Sequence, residues 1–107
     1  MQWQELSSEM TEQIEHLKFQ QLLKINFQGK TICVTKLETG IFGIQDTCPH
    51  AGGLLHQGHC NKKGTIICPL HGYKFDIQTG KSTDGNNYKI SNYFFKEEND
   101  KLLIGYK

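Results

Sequence analysis

Two short stretches of this chain each combine one cysteine and one histidine with a proline. The first is Cys48-Pro49-His50 and the second is Cys68-Pro69-Leu70-His71, with 17 residues between them. Neither stretch supplies a matched pair of sulfurs, whereas structural zinc sites usually pair Cys with Cys and His with His. The pattern is typical of an asymmetric two-iron cluster, in which two Cys hold one iron and two His hold the other.

Length, charge and hydropathy narrow the class of protein. The chain has 107 residues, and we expect residues 1–107 to form one domain. The net charge is +1, which gives no electrostatic case for binding nucleic acid. No apolar run approaches the roughly 20 residues of a membrane span, and the first residues lack the basic and apolar regions of a secretion signal. We therefore expect a cytoplasmic location.

The chain contains four cysteines, Cys33, Cys48, Cys60 and Cys68. Nothing in the sequence indicates export, and cytosolic thiols normally stay reduced, so disulfides are not favoured. Metal ligation is the better interpretation of Cys48 and Cys68. Cys33 lies in a strand-like run, where a thiol serves as a small core residue. Cys60 lies between the two stretches, and we interpret it too as a buried thiol, without a firm role.

Most apolar residues recur with period two or in short runs, which predicts strands. Seven short strands separated by turns favour an all-β fold, a small antiparallel β-sandwich or barrel. A segment from Ser8 to Leu17 is the exception, because its apolar residues recur with helical spacing and Ser8 can cap the start. The predicted strands are Leu22–Phe27, Lys30–Lys36, Gly40–Gln45, Thr65–Cys68, Tyr73–Asp76, Tyr93–Glu97 and Leu102–Tyr106.

The candidate ligands lie where predicted strands run into loops. Strands ending at Cys48 and at Cys68 can lie side by side, which brings both loops to one end of a sheet. Cys48 and Cys68 would then hold an iron near the protein body. His50 and His71 would hold the second iron near the loop tips. Glycines after each stretch permit the tight turns that a loop over a metal requires.

The residues around the ligands resemble a known family. CPHAGG followed by CPLHGYKFDIQTG is similar to the two ligand boxes of Rieske-type [2Fe–2S] ferredoxins. These include the small electron carriers of ring-hydroxylating dioxygenases and the small subunits of assimilatory nitrite reductases. The similarity is strongest from 46 to 81, which would be the cluster-binding part of a Rieske-type domain.

The resemblance implies a function as well as a fold. It implies one [2Fe–2S] cluster held by Cys48, His50, Cys68 and His71, and one-electron transfer from a reductase to a terminal oxygenase or reductase. The chain has no nucleophile beside a base and no nucleotide fingerprint, so we expect an electron carrier and not an enzyme. The alternatives are a fixed small subunit of a larger reductase such as nitrite reductase, a structural Cys2His2 zinc domain and a cluster-free adaptor.

Departures from the respiratory branch of the family predict the redox properties. That branch carries an extra cysteine in each box, and the two form a disulfide; the corresponding positions here are Gly53 and Leu70. It also carries a Ser and a Tyr that donate hydrogen bonds to the sulfurs, where this chain has Tyr73 and Phe75. Because such bonds raise the potential, we expect the low part of the Rieske range, which begins at about −150 mV.

Some positions near the boxes have more ordinary interpretations. Many relatives cover the cluster with a proline-containing third loop, whereas both prolines here lie inside the boxes. The polar segment from Ser82 to Asn87 is expected to take that place as an irregular, flexible loop. His56 and His59 lie close to the boxes but are interpreted as surface residues or as residues behind the ligands. His16 is interpreted as a solvated residue.

Overall fold

Nine strands, one α-helix and one short 3-10 helix make up the described part of the chain, residues 1–50 and 52–107 of a computed structural model. Ala51, in the first box, lies outside the described residues. Six strands form an antiparallel sheet in the order β1-β9-β8-β4-β3-β2. They are β1 (Gln2–Glu5), β2 (Leu22–Phe27), β3 (Lys30–Leu37), β4 (Gly40–Gln45), β8 (Asn92–Glu98) and β9 (Lys101–Tyr106).

A second, smaller sheet lies between β4 and β8 in the chain. It consists of β5 (His59–Cys60), β6 (Thr65–Ile67) and β7 (Lys74–Asp76), in the order β5-β6-β7 with antiparallel pairing. The 3-10 helix Leu55–Gln57 precedes β5. The chain therefore leaves the large sheet after β4, builds the small sheet, and returns to the large sheet at β8.

The seven strands expected from periodicity are all present, with ends that shift by one residue at most. Two further strands, β1 and β5, were missed. All four residues of β1 are exposed, so the strand has no apolar alternation to detect. The strand β5 has only two residues, which is too short for a periodic signal. Trp3 accordingly lies on an edge strand, and Tyr93 lies in the core.

The expected helix is present as α1 (Ser8–Glu15). Its N-cap is Ser7 and not Ser8, because the Ser7 side chain accepts a hydrogen bond of 3.2 Å from the Met10 backbone N–H. The helix also ends two residues before Leu17. Ile14 nevertheless faces inward and is fully buried, as the helical spacing predicts.

Strand β3 separates two apolar clusters. Ile32 and Val34 point into a cluster that α1 covers, whereas Cys33 points into a cluster shared with the small sheet. This follows from the period of two in a strand, which sends successive side chains to opposite faces. The second cluster contains Cys33, Leu37, Ile44, Cys48, Leu55, Cys60, Ile66, Cys68, Phe75, Ile77 and Ile90. The two box cysteines are thus part of a packed interior.

The large sheet curls until its two ends meet. The Gln28 side-chain amide, at the end of β2, donates hydrogen bonds of 2.9 Å to the Gln4 side-chain oxygen and 3.2 Å to the Tyr106 hydroxyl. The Phe27 and Tyr106 rings pack edge to face with centroids 5.4 Å apart. The expected small all-β fold with one short helix is therefore confirmed, in the form of a curled antiparallel sheet.

No helix within the described ranges is both long and apolar enough to cross a membrane.

Gly80 lies four residues after β7 and is hydrogen-bonded to Ile90, two residues before β8, and its substitution tests this junction. The Gly80 carbonyl accepts a hydrogen bond of 2.8 Å from the Ile90 N–H, and a Cβ at Gly80 would overlap the Ile90 carbonyl oxygen. We expect Gly80→Ala to lower the free energy of unfolding by about 3 kcal/mol. Gly85→Ala is the matched control, because Gly85 has φ +85° but open space at its Cβ position. Gly85→Ala should lower the free energy of unfolding by only about 1 kcal/mol. Equal losses in urea unfolding would contradict the account.

Candidate metal centre

The same backbone hydrogen bond closes both ligand loops. In the first loop the Cys48 N–H donates to the Gly53 carbonyl at 2.8 Å. In the second loop the Cys68 N–H donates to the Tyr73 carbonyl, also five residues further on, at 2.7 Å. Each loop is flanked by an antiparallel residue pair, Thr47 with Leu54 and Ile67 with Lys74. Both boxes are therefore hairpin loops of the same length that begin at a cysteine.

The two box cysteines lie together at the base of these loops. Cys48 and Cys68 are each 1% exposed, and their sulfurs are within hydrogen-bond range of each other. Burial raises the pKa of the Cys68 thiol, although a hydrogen bond from the Leu70 backbone N–H favours the thiolate. Since a metal binds the thiolate, a cation between the two sulfurs would supply the charge that this buried site lacks.

Gly53 leaves room for the sulfur of Cys68. A Cβ at Gly53 would lie 2.8 Å from the Cys68 Sγ and 3.2 Å from the Leu70 Cγ, both closer than ordinary contacts. Gly53 and Leu70 therefore face each other next to the cysteine pair. These are the two positions at which the resemblance places the disulfide of the respiratory branch, and neither is a cysteine here.

The two box histidines meet at the loop tips. The Nδ1 atoms of His50 and His71 are 3.4 Å apart, and the ring centroids are 5.0 Å apart. Both residues are exposed. Nitrogens that face each other across this distance can bind one metal ion between them after a small adjustment, with both imidazoles neutral. The histidines therefore form a second, outer ligand pair.

The backbone at the second tip has an unusual conformation. His71 has φ +66° and Gly72 has φ +70°, so two consecutive residues adopt the left-handed region. This region costs a residue with a side chain roughly 1–2 kcal/mol, and such strain is concentrated at functional sites. The turn places the His71 ring opposite His50 even though the two boxes differ in their Cys-to-His spacing.

The four residues form two pairs and not one set of four. Within the described ranges, no three His, Cys, Asp or Glu side chains are arranged to hold a single metal ion. A buried sulfur pair below an exposed imidazole pair fits two irons with different ligands, and an Fe–S cluster of this ligand set is the Rieske type. The donor set and its arrangement therefore fit a [2Fe–2S] cluster.

A buried carboxylate fixes the chain around the first box. Asp46 is fully buried, and its carboxylate accepts hydrogen bonds of 2.8 Å from the backbone N–H and from Nδ1 of His56. The Asp46 carbonyl also accepts a hydrogen bond of 2.7 Å from the Leu55 N–H. His56 is thus a residue that supports the loop from behind. The sequence did not reveal this pair, because the two residues are ten positions apart and have no motif of their own.

The other histidines and cysteines lie apart from the centre. His59 is exposed on β5, and the exposed His16 ring lies 2.8 Å from the Glu12 carbonyl oxygen. Cys33 and Cys60 are buried free thiols. Burial raises the pKa of Cys60 to about 11, and burial together with the nearby Asp46 raises that of Cys33. These features match the interpretation of both thiols as core residues.

The third loop is anchored to the small sheet. It is irregular, as expected, but the Lys74 N–H donates to the Asp84 carboxylate at 3.0 Å and the Lys74 carbonyl accepts from the Thr83 N–H at 3.0 Å. Hydrogen bonds from the Lys74 and Asn86 amides outweigh slight desolvation and hold the pKa of Asp84 below its usual range. The loop thereby brings the Tyr88 ring to 5.9 Å from the ring of Tyr73, which belongs to the second ligand hairpin. The polar sequence of the loop did not predict this contact.

Comparisons with known proteins show the family to which the chain belongs. Residues 8–93 match the family model described as the Rieske [2Fe-2S] domain. The ferredoxin component of the naphthalene 1,2-dioxygenase system of Pseudomonas putida is 29% identical over 84 residues, 78% of this chain and 80% of that protein.

Two solved structures share the fold. One is a complex of reduced oxygenase and oxidised ferredoxin in carbazole 1,9a-dioxygenase, with a TM-score of 0.77, 17% identity, and coverage of 96% of this chain and 92% of that chain. The other is described as an NADH-dependent nitrite reductase small subunit from Mycobacterium tuberculosis. It has a TM-score of 0.77 and 13% identity, and covers 96% of this chain and 93% of that chain.

The fold and the paired Cys and His side chains define an iron–sulfur protein of the two-iron type. The chain belongs to the Rieske [2Fe-2S] domain family, and its cofactor is a [2Fe–2S] cluster.

Gly53→Ala tests the packing around the cysteine pair. We expect most of the cluster to be lost, because the new methyl group would meet the Cys68 sulfur. The matched control is Gly52→Ala, since Gly52 has φ +71° but open space at its Cβ position. The measurement is iron and labile sulfide per chain after reconstitution. Full loading of Gly53→Ala, or equal losses in both variants, would contradict this packing.

His56→Ala tests the buried carboxylate. Removing the ring leaves Asp46 with a backbone donor only, and we expect the free energy of unfolding to fall by about 1–3 kcal/mol. The range is below that of a fully buried pair because the His56 side chain is 20% exposed. His59→Ala, a nearby exposed histidine, should change stability little. If urea unfolding gave the same stability for both variants, the Asp46–His56 contact would not support the loop.

Proposed function

We propose that this protein carries single electrons through a cluster held by Cys48, Cys68, His50 and His71. Cys48 and Cys68 hold the inner iron, and His50 and His71 hold the outer iron. The observation that carries the proposal is the separation of the four side chains into a buried sulfur pair and an exposed imidazole pair. When bound, the cluster supplies one-electron redox chemistry.

Electron transfer without catalysis fits this ligand set. A catalytic metal keeps an open coordination position for substrate or water. In the proposed centre, two cysteines and two histidines would complete the ligand set of the cluster and would leave no position for substrate. The protein therefore acts as an electron-transfer component of a larger oxidoreductase system and not as an enzyme by itself.

Exposed leucines belong to the same two hairpins as the imidazole pair. Leu54 is 37% exposed and Leu70 is 45% exposed, and each belongs to one of the two ligand hairpins. Leu54 flanks the base of the first hairpin and Leu70 precedes His71 at the second tip, so the exposed surface of the two hairpins has both polar and apolar groups. A small surface of this kind suits a transient complex, in which a partner approaches the outer iron and then leaves.

The partners we propose are a reductase that donates the electron and a terminal oxygenase or reductase that accepts it. Support comes from the P. putida relative, a ferredoxin component of a dioxygenase system, and from the oxygenase–ferredoxin complex that shares the fold.

We further propose a cytoplasmic location and one domain over residues 1–107, with the cluster-binding part at about 46–81. The hydrogen bonds between Asp76 and Lys81 and between Gly80 and Ile90 support that boundary.

A fixed subunit of a nitrite-reducing enzyme is the second candidate. The fold shared with the M. tuberculosis structure favours it, since that protein is described as a reductase small subunit. Gel filtration of the protein co-expressed with the products of neighbouring genes separates the two. A free carrier should elute alone, whereas stable co-elution with a reductase would overturn the carrier model.

Electron paramagnetic resonance tests the cluster directly. We expect dithionite-reduced protein to give a spectrum with an average g value below that of four-cysteine [2Fe–2S] proteins, because nitrogen ligands bind the ferrous iron. Two irons and two sulfides per chain should accompany it. A silent sample that contains one zinc per chain would show a structural zinc site.

His71→Cys tests the outer ligands. We expect the midpoint potential to fall sharply, toward the about −400 mV of plant-type ferredoxins, because a thiolate adds negative charge to the cluster. His59→Cys adds the same side chain on exposed β5 and should leave the potential unchanged. An unchanged potential in a cluster-loaded His71→Cys protein would mean that His71 is not a ligand. The unsubstituted protein should lie in the low part of the Rieske range.

A further inference from the structure

An aromatic ring from the second hairpin lies flat on a ligand of the first. The Tyr73 and His50 rings are stacked with centroids 4.1 Å apart and an interplanar angle of 18°. Tyr73 is half-buried, whereas His50 is exposed. One face of the His50 imidazole is thus covered by protein.

The Tyr73 backbone is fixed independently of this ring. Its carbonyl accepts the Cys68 N–H at 2.7 Å, the hydrogen bond that closes the second loop. Tyr73 is therefore joined to the buried cysteine of its own box through the backbone and to the exposed histidine of the other box through its side chain.

A second tyrosine supports the far side of the stack. The Tyr88 ring lies 5.9 Å from the Tyr73 ring, tilted by 36°. Tyr88 is held by Ser82, whose N–H donates to the Tyr88 carbonyl at 2.8 Å and whose hydroxyl accepts the Tyr88 N–H at 3.2 Å. The anchoring of Asp84 to Lys74 keeps this loop against β7. The chain thus presents three aromatic rings in series, Tyr88, Tyr73 and His50.

We propose that Tyr73, supported by Tyr88, is a positioning residue that fixes the orientation of the His50 imidazole and shields it from water. The proposal rests on the function above, because it assigns His50 as an iron ligand. The stack lies on the side of the His50 ring next to the third loop, which has no proline in this chain. An aromatic cover of this kind also limits which face of the tip remains open to a partner.

The physical consequence concerns both geometry and charge. A flat aromatic contact restricts rotation of the imidazole, so the plane of the ring relative to the iron becomes fixed. Shielding from water also destabilises the reduced cluster, which carries one more negative charge than the oxidised cluster. Removing the ring should therefore change the electronic spectrum of the outer iron and raise the midpoint potential.

The test compares four variants of the cluster-loaded protein. Tyr73→Leu removes the ring but keeps an apolar side chain, and Tyr73→Phe keeps the ring. Tyr88→Leu loosens the stack without touching a ligand. Tyr106→Leu is the matched control, because Tyr106 makes an aromatic contact with Phe27, away from the ligand loops. The measurements are the electron paramagnetic resonance spectrum of the reduced protein, the midpoint potential and the rate of cluster loss to a chelator.

We expect Tyr73→Leu to shift the g values, to raise the potential and to lose its cluster about three- to tenfold faster, the effect of one aromatic pair. Tyr88→Leu should shift the same quantities less, and Tyr73→Phe and Tyr106→Leu should match the unsubstituted protein. If Tyr73→Leu does not fold, the spectrum and midpoint potential of Tyr88→Leu alone test the proposal. A spectrum and potential identical to the unsubstituted protein in both leucine variants would overturn the proposal. Absence of a Rieske spectrum in the unsubstituted protein would instead overturn the proposed function.

Discussion

The ligand geometry depends on one backbone interaction that occurs twice. In each box the N–H of the cysteine donates to a carbonyl five residues later, at Gly53 and at Tyr73. Each bond fixes the cysteine at the base of a hairpin and forces the histidine to its tip. Because the two hairpins lie side by side, the sulfurs meet below and the imidazoles meet above. The curled sheet supplies the buried interior on which both hairpins stand.

This arrangement sets how the centre can work. In the proposed centre, two cysteines buried in the core would need a cation to hold them as thiolates, so cluster binding and the packing of the small sheet would depend on each other. The histidines are exposed at the loop tips, where a protein partner has access. The cysteine pair is buried and the histidine pair is exposed. An electron carrier needs both conditions, because burial protects its cluster and exposure allows electron exchange.

Sequence reasoning predicted most strands and pointed to four candidate ligands, because both leave local signals. The boxes contain all four candidate ligands within a few residues, and strands such as Leu22–Phe27 show a clear apolar alternation. Contacts between distant residues could not be predicted. Neither the Asp46–His56 hydrogen bonds nor the Tyr73–His50 stack follows from spacing, since each depends on how two loops meet. The exposed β1 was missed because none of its four residues is buried, so it shows no apolar alternation.

The central claim is that two irons occupy two different ligand environments, one of sulfur and one of sulfur and nitrogen. Mössbauer spectroscopy of protein reconstituted with ⁵⁷Fe measures this most directly. The oxidised protein should give two quadrupole doublets of equal area with different isomer shifts, and on reduction only the nitrogen-ligated iron should become ferrous. A single doublet, or reduction of the all-sulfur iron, would contradict the assignment of Cys48 and Cys68 to one iron and His50 and His71 to the other.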